Sequence, residues 1–170
     1  IVETEAYIGE LDKASHAYNN RSKRTEIMFR AGGYAYVYLI YGMYYCFNVV
    51  VGKEGHGDAV LIRAVEPVEG LALMQARRKN KVKKQLTNGP GKVCQAFAIS
   101  KALYGADLAG EEIYITPYEH IAKQQIGIST RINVDYAEEA AVFPWRFYVR
   151  NNIYVSKNKI SKAAEKCSLK

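Results

Sequence analysis

The sequence has few of the features that build a disulfide framework, a metal site or a membrane anchor. Its three cysteines are far apart without a Cys-x-x-Cys pair, and its three histidines are isolated, so neither disulfides nor a zinc site is indicated. The most apolar stretch, residues 37–51, is interrupted by tyrosines and by Asn48, so it does not predict a membrane span. We therefore predict a reducing, cytoplasmic setting with no membrane association and no metal.

The length of 170 residues predicts one domain, residues 1–170, that is long enough to bury a core. Hydrophobic residues make up 49% of the chain and charged residues 24%, a composition typical of a soluble domain. The chain starts at Ile1, inside a segment with a strand pattern and without a signal-peptide pattern. We therefore expect at least one further element upstream of Ile1.

Tyrosine and positive charge are abundant. Six of the fourteen tyrosines lie in residues 34–48, and the net charge is +7. A tyrosine face can stack on a nucleobase while a basic surface holds phosphates, although tyrosines are also normal strand residues. Runs of positive charge are often plain solvated surface, but three of them favour a polyanionic partner. The three basic clusters are Arg21 with Lys23 and Arg24, residues 77–84, and residues 157–170.

The hydrophobic pattern predicts more strands than helices. We predict strands over residues 1–8, 34–40, 43–51, 59–65, 113–116, 126–134 and 147–155, helices over residues 69–78 and 92–103, and a surface loop over residues 19–30. A tight turn is predicted at Tyr41-Gly42, since glycine accepts positive φ. On the second helix, Val93, Phe97 and Ile99 should face the core. The predicted fold class is α+β, with a curved, mainly antiparallel sheet, flanking helices and a protruding hairpin.

Acidic residues near the start are the first candidates for chemistry. Strand periodicity places Glu3, Glu5 and Tyr7 on one face, where they either face water or line a cleft with one carboxylate acting as a base on water. Arg63 is the sole charge in the apolar run 59–65. If Arg63 is buried it needs a partner, for which Glu5 is the obvious candidate; otherwise it lies on the exposed face of an edge strand.

Other catalytic patterns are weak. The segment 88–92 is not a Walker A loop, because Val93 follows Lys92, although a helix start with a lysine can hold a DNA phosphate. No Ser-His-Asp arrangement and no acidic cluster for a two-metal nuclease is evident. A glycosidic bond can be attacked by a carboxylate and a water, and that chemistry suits Glu5.

Six segments, taken in order, resemble the alkyladenine (3-methyladenine) DNA glycosylase family. They are Val2-Glu3-Thr4-Glu5-Ala6-Tyr7 followed by His16, Met28-Phe29, and residues 36–44, 61–67, 89–96 and 144–150. The resemblance implies a monofunctional base excision repair enzyme that flips alkylated or deaminated purines out of duplex DNA. It implies hydrolysis of the N-glycosidic bond of 3-methyladenine, 7-methylguanine, hypoxanthine or ethenoadenine, which leaves an abasic site. It further implies a monomer that acts on double-stranded DNA at the bacterial nucleoid, with no metal or organic cofactor.

The resemblance also implies residue roles. Glu5 would be the general base, and Arg63 would position the attacking water and keep Glu5 ionised. The base pocket would be formed by Tyr7, His16, Tyr38 and, at its floor, Asn48. Tyr41 would wedge into the minor groove, and the DNA backbone would be bound by Arg21, Arg24 and Lys92. One departure from the family pattern is Asn133, where many relatives carry glycine.

Two other functions fit parts of the sequence. A non-catalytic nucleic-acid binder could use the same aromatic hairpin, but it has no need of an acid such as Glu5 beside a stacking pocket. A hydrolase of free nucleosides would not explain a wedge at Tyr41 or the three basic clusters. The pair of Glu5 and Arg63 therefore favours the glycosylase.

Overall fold

The alternation of apolar and polar residues produces a six-stranded antiparallel sheet in the computed structural model, which describes residues 1–79 and 81–156. The strands are β1 (Glu3–Tyr7), β2 (Ala35–Ile40), β3 (Tyr44–Val51), β4 (Asp58–Ala64), β5 (Ile126–Ser129) and β6 (Arg146–Val149). They lie in the order β2-β3-β4-β1-β6-β5. Within these residues, no helix combines the length and the apolar character needed to cross a bilayer.

The described residues form two α-helices: α1 (Leu71–Arg77) packs against α2 (Pro90–Phe97), which in turn packs against strands β3 and β4. Short 3₁₀ helices lie at Glu26–Phe29, Lys83–Gln85, Lys101–Leu103, Lys123–Gln125 and Asp135–Val142. The predicted α+β class and antiparallel sheet are therefore confirmed. The third basic cluster, residues 157–170, lies outside the described residues, and a single domain over residues 1–170 stays a prediction.

The two faces of the sheet are packed differently. Val37 and Phe47 point to the face covered by α2, where they pack with Val93. Their neighbours Tyr36 and Asn48 are cross-strand partners and point to the opposite face. That opposite face carries a second buried cluster and a cavity. One side of the β2–β3 hairpin therefore builds core, while the other side is available for a site.

The predicted turn at the hairpin tip is confirmed. Tyr41 and Gly42 both have left-handed backbone conformations, with φ of 53° and 68°, and the Met43 N–H donates to the Ile40 carbonyl at 3.2 Å. Positive φ is uncommon for a residue with a side chain, so the turn holds Tyr41 in a specific conformation. Tyr41 is 73% exposed at the tip.

Several predicted elements differ from the structure. Residues 113–116 form no strand, because their only backbone hydrogen bond within residues 1–79 and 81–156 joins the Ile115 N–H to the Leu108 carbonyl. The strands predicted over 126–134 and 147–155 are shorter, at Ile126–Ser129 and Arg146–Val149. The second helix begins at Pro90 and ends at Phe97, because Ala98 takes a left-handed conformation with φ of 56°.

Burial corrects two further predictions. The surface loop predicted over residues 19–30 contains the 3₁₀ helix Glu26–Phe29, whose apolar side chains are buried beneath the hairpin. Phe97 does not face the core but is 44% exposed, since the helix ends there. Val93 and Ile99 are buried as predicted.

Replacing a phenylalanine with alanine at a buried and at an exposed position tests this difference in burial. Phe47→Ala should lower the free energy of unfolding by about 3–5 kcal/mol, because a buried ring leaves a cavity. The matched control Phe97→Ala should change it by less than about 1 kcal/mol, because that ring is largely in solvent. Urea unfolding of both variants tests this, and equal losses would show that Phe97 is packed in the core.

Candidate active site

A cavity of about 730 Å³ lies beside the sheet, between the β2–β3 hairpin, strands β1 and β4, the start of α2 and the segment 132–136. Apolar and aromatic walls with a few polar groups are typical of a small-molecule or nucleobase site. Seven of the predicted site residues line this cavity, namely Tyr7, His16, Tyr38, Tyr41, Asn48, Arg63 and Lys92. The structure thus brings together residues that span 85 positions of the sequence.

Glu5 lies fully buried directly behind the cavity wall. Its Oε2 accepts hydrogen bonds from the Tyr7 hydroxyl at 2.9 Å and from Arg63 Nη1 at 3.1 Å. Its Oε1 accepts from the backbone N–H of Ile132 at 2.7 Å. All three donors belong to residues that line the cavity. The carboxylate is therefore held rigidly by groups that themselves form the wall.

Arg63 joins two buried carboxylates. Its Nε donates to Glu3 at 3.2 Å while its Nη1 donates to Glu5, and Arg146 Nε donates to the same Glu3 oxygen at 2.7 Å. Glu3 also accepts from the Ser156 N–H at 2.6 Å. The predicted Arg63–Glu5 pairing is confirmed, and β4 is an interior strand. A solvated acidic face and an edge-strand arginine are both excluded.

Charge and burial determine the protonation of this cluster. Burial alone would lower the pKa of Arg63, but the charges of Glu5 and Glu3 outweigh it and raise that pKa. Burial, and then the charge and hydrogen bond of Glu5, raise the pKa of Tyr7 well above its usual value. The Tyr7 hydroxyl therefore keeps its proton and acts as a donor to Glu5.

Three aromatic rings in edge-on and tilted contact form one wall of the cavity. The His16 ring centroid lies 4.5 Å from that of Tyr38, and Tyr38 lies 5.3 Å from Tyr36. The His16 Nδ1 is 2.8 Å from the Tyr36 hydroxyl. Burial, with the nearby charge of Arg24, lowers the pKa of His16 to about 4. The wall is therefore aromatic and neutral near pH 7.

Asn48 occupies a buried position of the cavity on β3. Its Nδ2 donates to the backbone carbonyl of Tyr36 at 3.1 Å, which determines how the amide is oriented. Cys46, two residues earlier, lines the same side of the strand. Burial raises the pKa of Cys46 and of Cys94, so both are unreactive thiols. Cys167 lies outside the described residues.

Of the three residues predicted to contact DNA backbone, Lys92 lines the cavity and the two arginines do not. Lys92 lies in the first turn of α2, and its Nζ donates to Asn88 Oδ1 at 2.8 Å. Burial and then the charge of Arg78 lower the pKa of Lys92. Arg21 and Arg24 do not line the cavity; their guanidinium groups lie over the rings of Phe29 and Tyr38, at 4.9 Å and 5.3 Å.

Four important residues were not identified from sequence. Strand periodicity could have identified Tyr36, because it lies two residues before Tyr38 and therefore on the same face of β2. Ile132 contributes a backbone N–H, which no side-chain pattern reveals. Arg131 and Asp12 form a buried ion pair across 119 positions, for which a single sequence carries no signal.

Asn133 and Tyr136 also line the cavity. Asn133 has a φ of 60°, a conformation that glycine adopts without cost and asparagine tolerates. The glycine expected at this position in many relatives would adopt the same positive φ. Among residues 1–79 and 81–156, no group of three or more potential ligands is arranged to hold a metal.

The fold and the cavity define an α+β protein that can hold one flat ring between aromatic walls, in front of a buried carboxylate and beside a basic surface. A family model described as Methylpurine-DNA glycosylase (MPG) matches residues 1–153. The chain belongs to the methylpurine-DNA glycosylase family. The family resemblance expected from the sequence motifs is confirmed.

Bacterial relatives agree with this membership. A protein of Alkaliphilus oremlandii (strain OhILAs) is 55% identical over 166 residues, which cover 92% of this chain and 82% of the relative. A protein of Natranaerobius thermophilus is 54% identical over 162 residues, covering 93% and 82%. One of Bacillus cytotoxicus is 51% identical over 168 residues, covering 92% and 82%. All three carry the provisional name 3-methyladenine DNA glycosylase.

The low pKa of His16 makes stability depend on pH. The pKa is about 4 in the folded protein against the usual 6.5, so between these values the unfolded chain binds more protons. The free energy of unfolding should therefore fall as the pH falls from 6.5 towards 4. His16→Gln should lose less stability than the wild type between pH 7.5 and pH 5.

Urea unfolding of the wild type and of His16→Gln at both pH values checks this prediction. If His16→Gln and the wild type lose equal stability on acidification, His16 is not held neutral by burial in the cavity.

Proposed function

We propose that the protein is a monofunctional DNA glycosylase of base excision repair that acts on alkylated and deaminated purines in duplex DNA. It hydrolyses the N-glycosidic bond of 3-methyladenine, 7-methylguanine, hypoxanthine or ethenoadenine and leaves an abasic site. The observation that carries the proposal is the Glu5 carboxylate, held by three donors directly behind an aromatic cavity. Family membership and the relatives' names support the same class of activity.

The cavity suits a flipped purine. Extruding a base costs a few kcal/mol, and less for a damaged or mispaired base, while each base stacked on an aromatic ring returns roughly 1–3 kcal/mol. Tyr7, His16 and Tyr38 supply the stacking faces. A purine methylated at N3 or N7 is cationic, so neutral aromatic walls attract it by a further ~0.5–2 kcal/mol.

Glu5 is the general base for water. An ionised carboxylate has about four acceptor positions, and Tyr7, Arg63 and Ile132 occupy three of them. The remaining position accepts a hydrogen bond from the attacking water on the cavity side. The water oxygen bonds to the anomeric carbon, its proton passes to Glu5, and the bonding electron pair leaves with the purine.

The transition state resembles an oxocarbenium ion, as in other glycoside hydrolyses. A cationic methylated purine becomes neutral as it departs, so it needs no proton from the enzyme. A neutral lesion such as hypoxanthine must gain a proton. Lys92 is bonded to Asn88 at the start of α2, which suits a phosphate contact rather than a Schiff-base nucleophile.

Residues at the rim and floor contribute binding and selectivity. Tyr41, at the exposed hairpin tip, fills the space that the flipped base leaves in the duplex. Asn48 rejects the 2-amino group of normal guanine at the cavity floor. Arg21, Arg24 and Lys92 contact backbone phosphates, and the enzyme works as a monomer on cytoplasmic, nucleoid DNA.

Substitution of the base is the direct test. Glu5→Gln should reduce single-turnover release of hypoxanthine from duplex DNA by at least about 100-fold, because an amide cannot accept the proton from water. The Glu5→Gln variant should still bind the lesion duplex, because glutamine has nearly the shape of glutamate and retains two of the three hydrogen bonds made at residue 5. Unchanged cleavage by the variant would assign the base to another residue.

The wild type provides the second arm of this experiment. If it binds the lesion duplex but releases neither hypoxanthine nor 3-methyladenine, the protein is a binding module rather than a glycosylase. If it cleaves free nucleosides as efficiently as duplex DNA, the proposed roles of Tyr41 and the basic rim are wrong.

The wedge can be tested separately in the Glu5→Gln background, where the lesion is not cleaved. Tyr41→Ala should weaken binding of a hypoxanthine-containing duplex by about 1–3 kcal/mol, because one aromatic stacking contact is lost. Tyr118, which is 84% exposed and does not line the cavity, is the matched control. Equal affinity of Tyr41→Ala and Tyr118→Ala would exclude a wedge at Tyr41.

A further inference from the structure

Arg131 is a buried arginine beside the site to which the proposed reaction assigns no role. Its Nη2 donates to Asp12 Oδ1 at 2.8 Å, and its Nη1 bonds the other Asp12 oxygen. Nη1 also donates to the Ala6 carbonyl at 2.9 Å, and Nη2 to the Ala140 carbonyl at 3.0 Å. One guanidinium thus joins strand β1 to the turn at Asp12 and to the 3₁₀ helix Asp135–Val142.

The same guanidinium contacts the cavity wall from behind. Its central carbon lies 4.7 Å from the ring centroid of Tyr7 and 5.1 Å from that of Trp145. A cation over an aromatic face is attracted to it, and burial strengthens the attraction. The contact restrains the Tyr7 ring, whose hydroxyl donates to Glu5 at 2.9 Å.

The chain around Arg131 reaches Glu5 by a second route. Ile132, the next residue, donates its backbone N–H to Glu5 Oε1 at 2.7 Å. Arg131 anchors this stretch to β1 through the Ala6 carbonyl, one residue after Glu5. The Arg131 side chain therefore restrains two of the three donors to Glu5, although no hydrogen bond among the described residues joins Arg131 to Glu5 itself.

Asp12 extends the restraint to the aromatic wall. Its Oδ1 accepts from the Ala14 N–H at 2.9 Å, which orders the turn leading to His16. The Arg131–Asp12 pair is fully buried in its side chains. Buried ion pairs are often no more stable than apolar replacements, so stability alone gives little reason for one here.

We propose that Arg131, oriented by Asp12, is a positioning residue for the general base. It holds the Ile132 N–H and the Tyr7 hydroxyl at hydrogen-bonding distance from Glu5, so that the one free acceptor position of the carboxylate points at the water. This inference rests on the proposed function, since it assumes that Glu5 activates water. Arg131 itself contacts neither the base nor the DNA.

The planar fork of arginine is required for this geometry. Four of the five coplanar N–H donors, those of Nη1 and Nη2, serve Asp12 in a bidentate manner and two carbonyls at once, while a flat face remains for Tyr7. A lysine at this position would keep the charge but could not make these contacts together. Misplacement of a catalytic group by about 1 Å can cost on the order of 100-fold in rate.

Two variants test the role by single-turnover cleavage of a hypoxanthine-containing duplex. Arg131→Lys should slow cleavage by about 10- to 100-fold. The double variant Asp12→Asn/Arg131→Gln removes both charges, so that no single unpaired charge is left buried to destabilise the fold. Its cleavage should also be slowed by about 10- to 100-fold. For both, the dissociation constant of the duplex, measured in the Glu5→Gln background, should change by less than about threefold.

An NMR measurement separates positioning from general destabilisation. In a ¹⁵N-labelled sample of the wild type, the Ile132 amide proton should show the downfield chemical shift of a short, charge-assisted hydrogen bond. This shift should be lost in Arg131→Lys and also in Glu5→Gln. Arg30→Lys is the control, because Arg30 lies 4.3 Å from the ring of Tyr34, outside the cavity. It should change neither the rate nor the Ile132 signal.

The outcomes are distinguishable from failure of the proposed function. If the wild type cleaves but both Arg131 variants cleave at its rate, the positioning role is overturned and the glycosylase assignment stands. The role is also overturned if the rate falls while the Ile132 signal is unchanged, or if duplex affinity falls as much as the rate. If the wild type releases no base, the proposed function fails and this role fails with it.

Discussion

The ion-pair cluster of Glu3, Glu5 and Arg63 in the centre of the sheet is the constraint on which the site depends. Charged groups that lose water need partners, and here each carboxylate is satisfied by several donors from different elements. The cluster ties together β1, β4, β6 and the segment after β5. Any displacement of these elements would leave a buried charge unpaired, so the carboxylate behind the cavity has one permitted position.

In contrast to this charged cluster, the aromatic wall of the cavity in front of it is uncharged. His16 is neutral because burial lowers its pKa to about 4, and burial likewise raises the pKa of Tyr36 to about 12. Arg24 lies at the rim over the Tyr38 ring, and Lys92 lies at the start of α2. Neutral aromatic walls between an acid and a basic rim form an arrangement that suits a flat, electron-poor ring attached to a polyanion.

Local patterns predicted the elements whose packing follows from their own residues. The strands around Glu5, the β2–β3 hairpin and the turn at Tyr41-Gly42 all obey period 2 or the conformational needs of a turn. The predicted strand at 113–116 failed because alternation without a neighbouring strand produces no ladder. Phe97 was misplaced because the helix ends at that residue, before a left-handed Ala98 that propensity does not anticipate.

The sequence by itself determined the family, the α+β class and seven of the residues that line the cavity, because motifs and periodicity depend on neighbouring residues. It also supported the pairing of Arg63 with an acid, since a lone charge in an apolar strand needs a partner. Only the tertiary structure decided that Ile132 donates to Glu5, that Asp12 pairs with Arg131, and that Tyr36 bonds His16. These contacts join distant segments through backbone groups and buried geometry, which one-dimensional patterns do not encode.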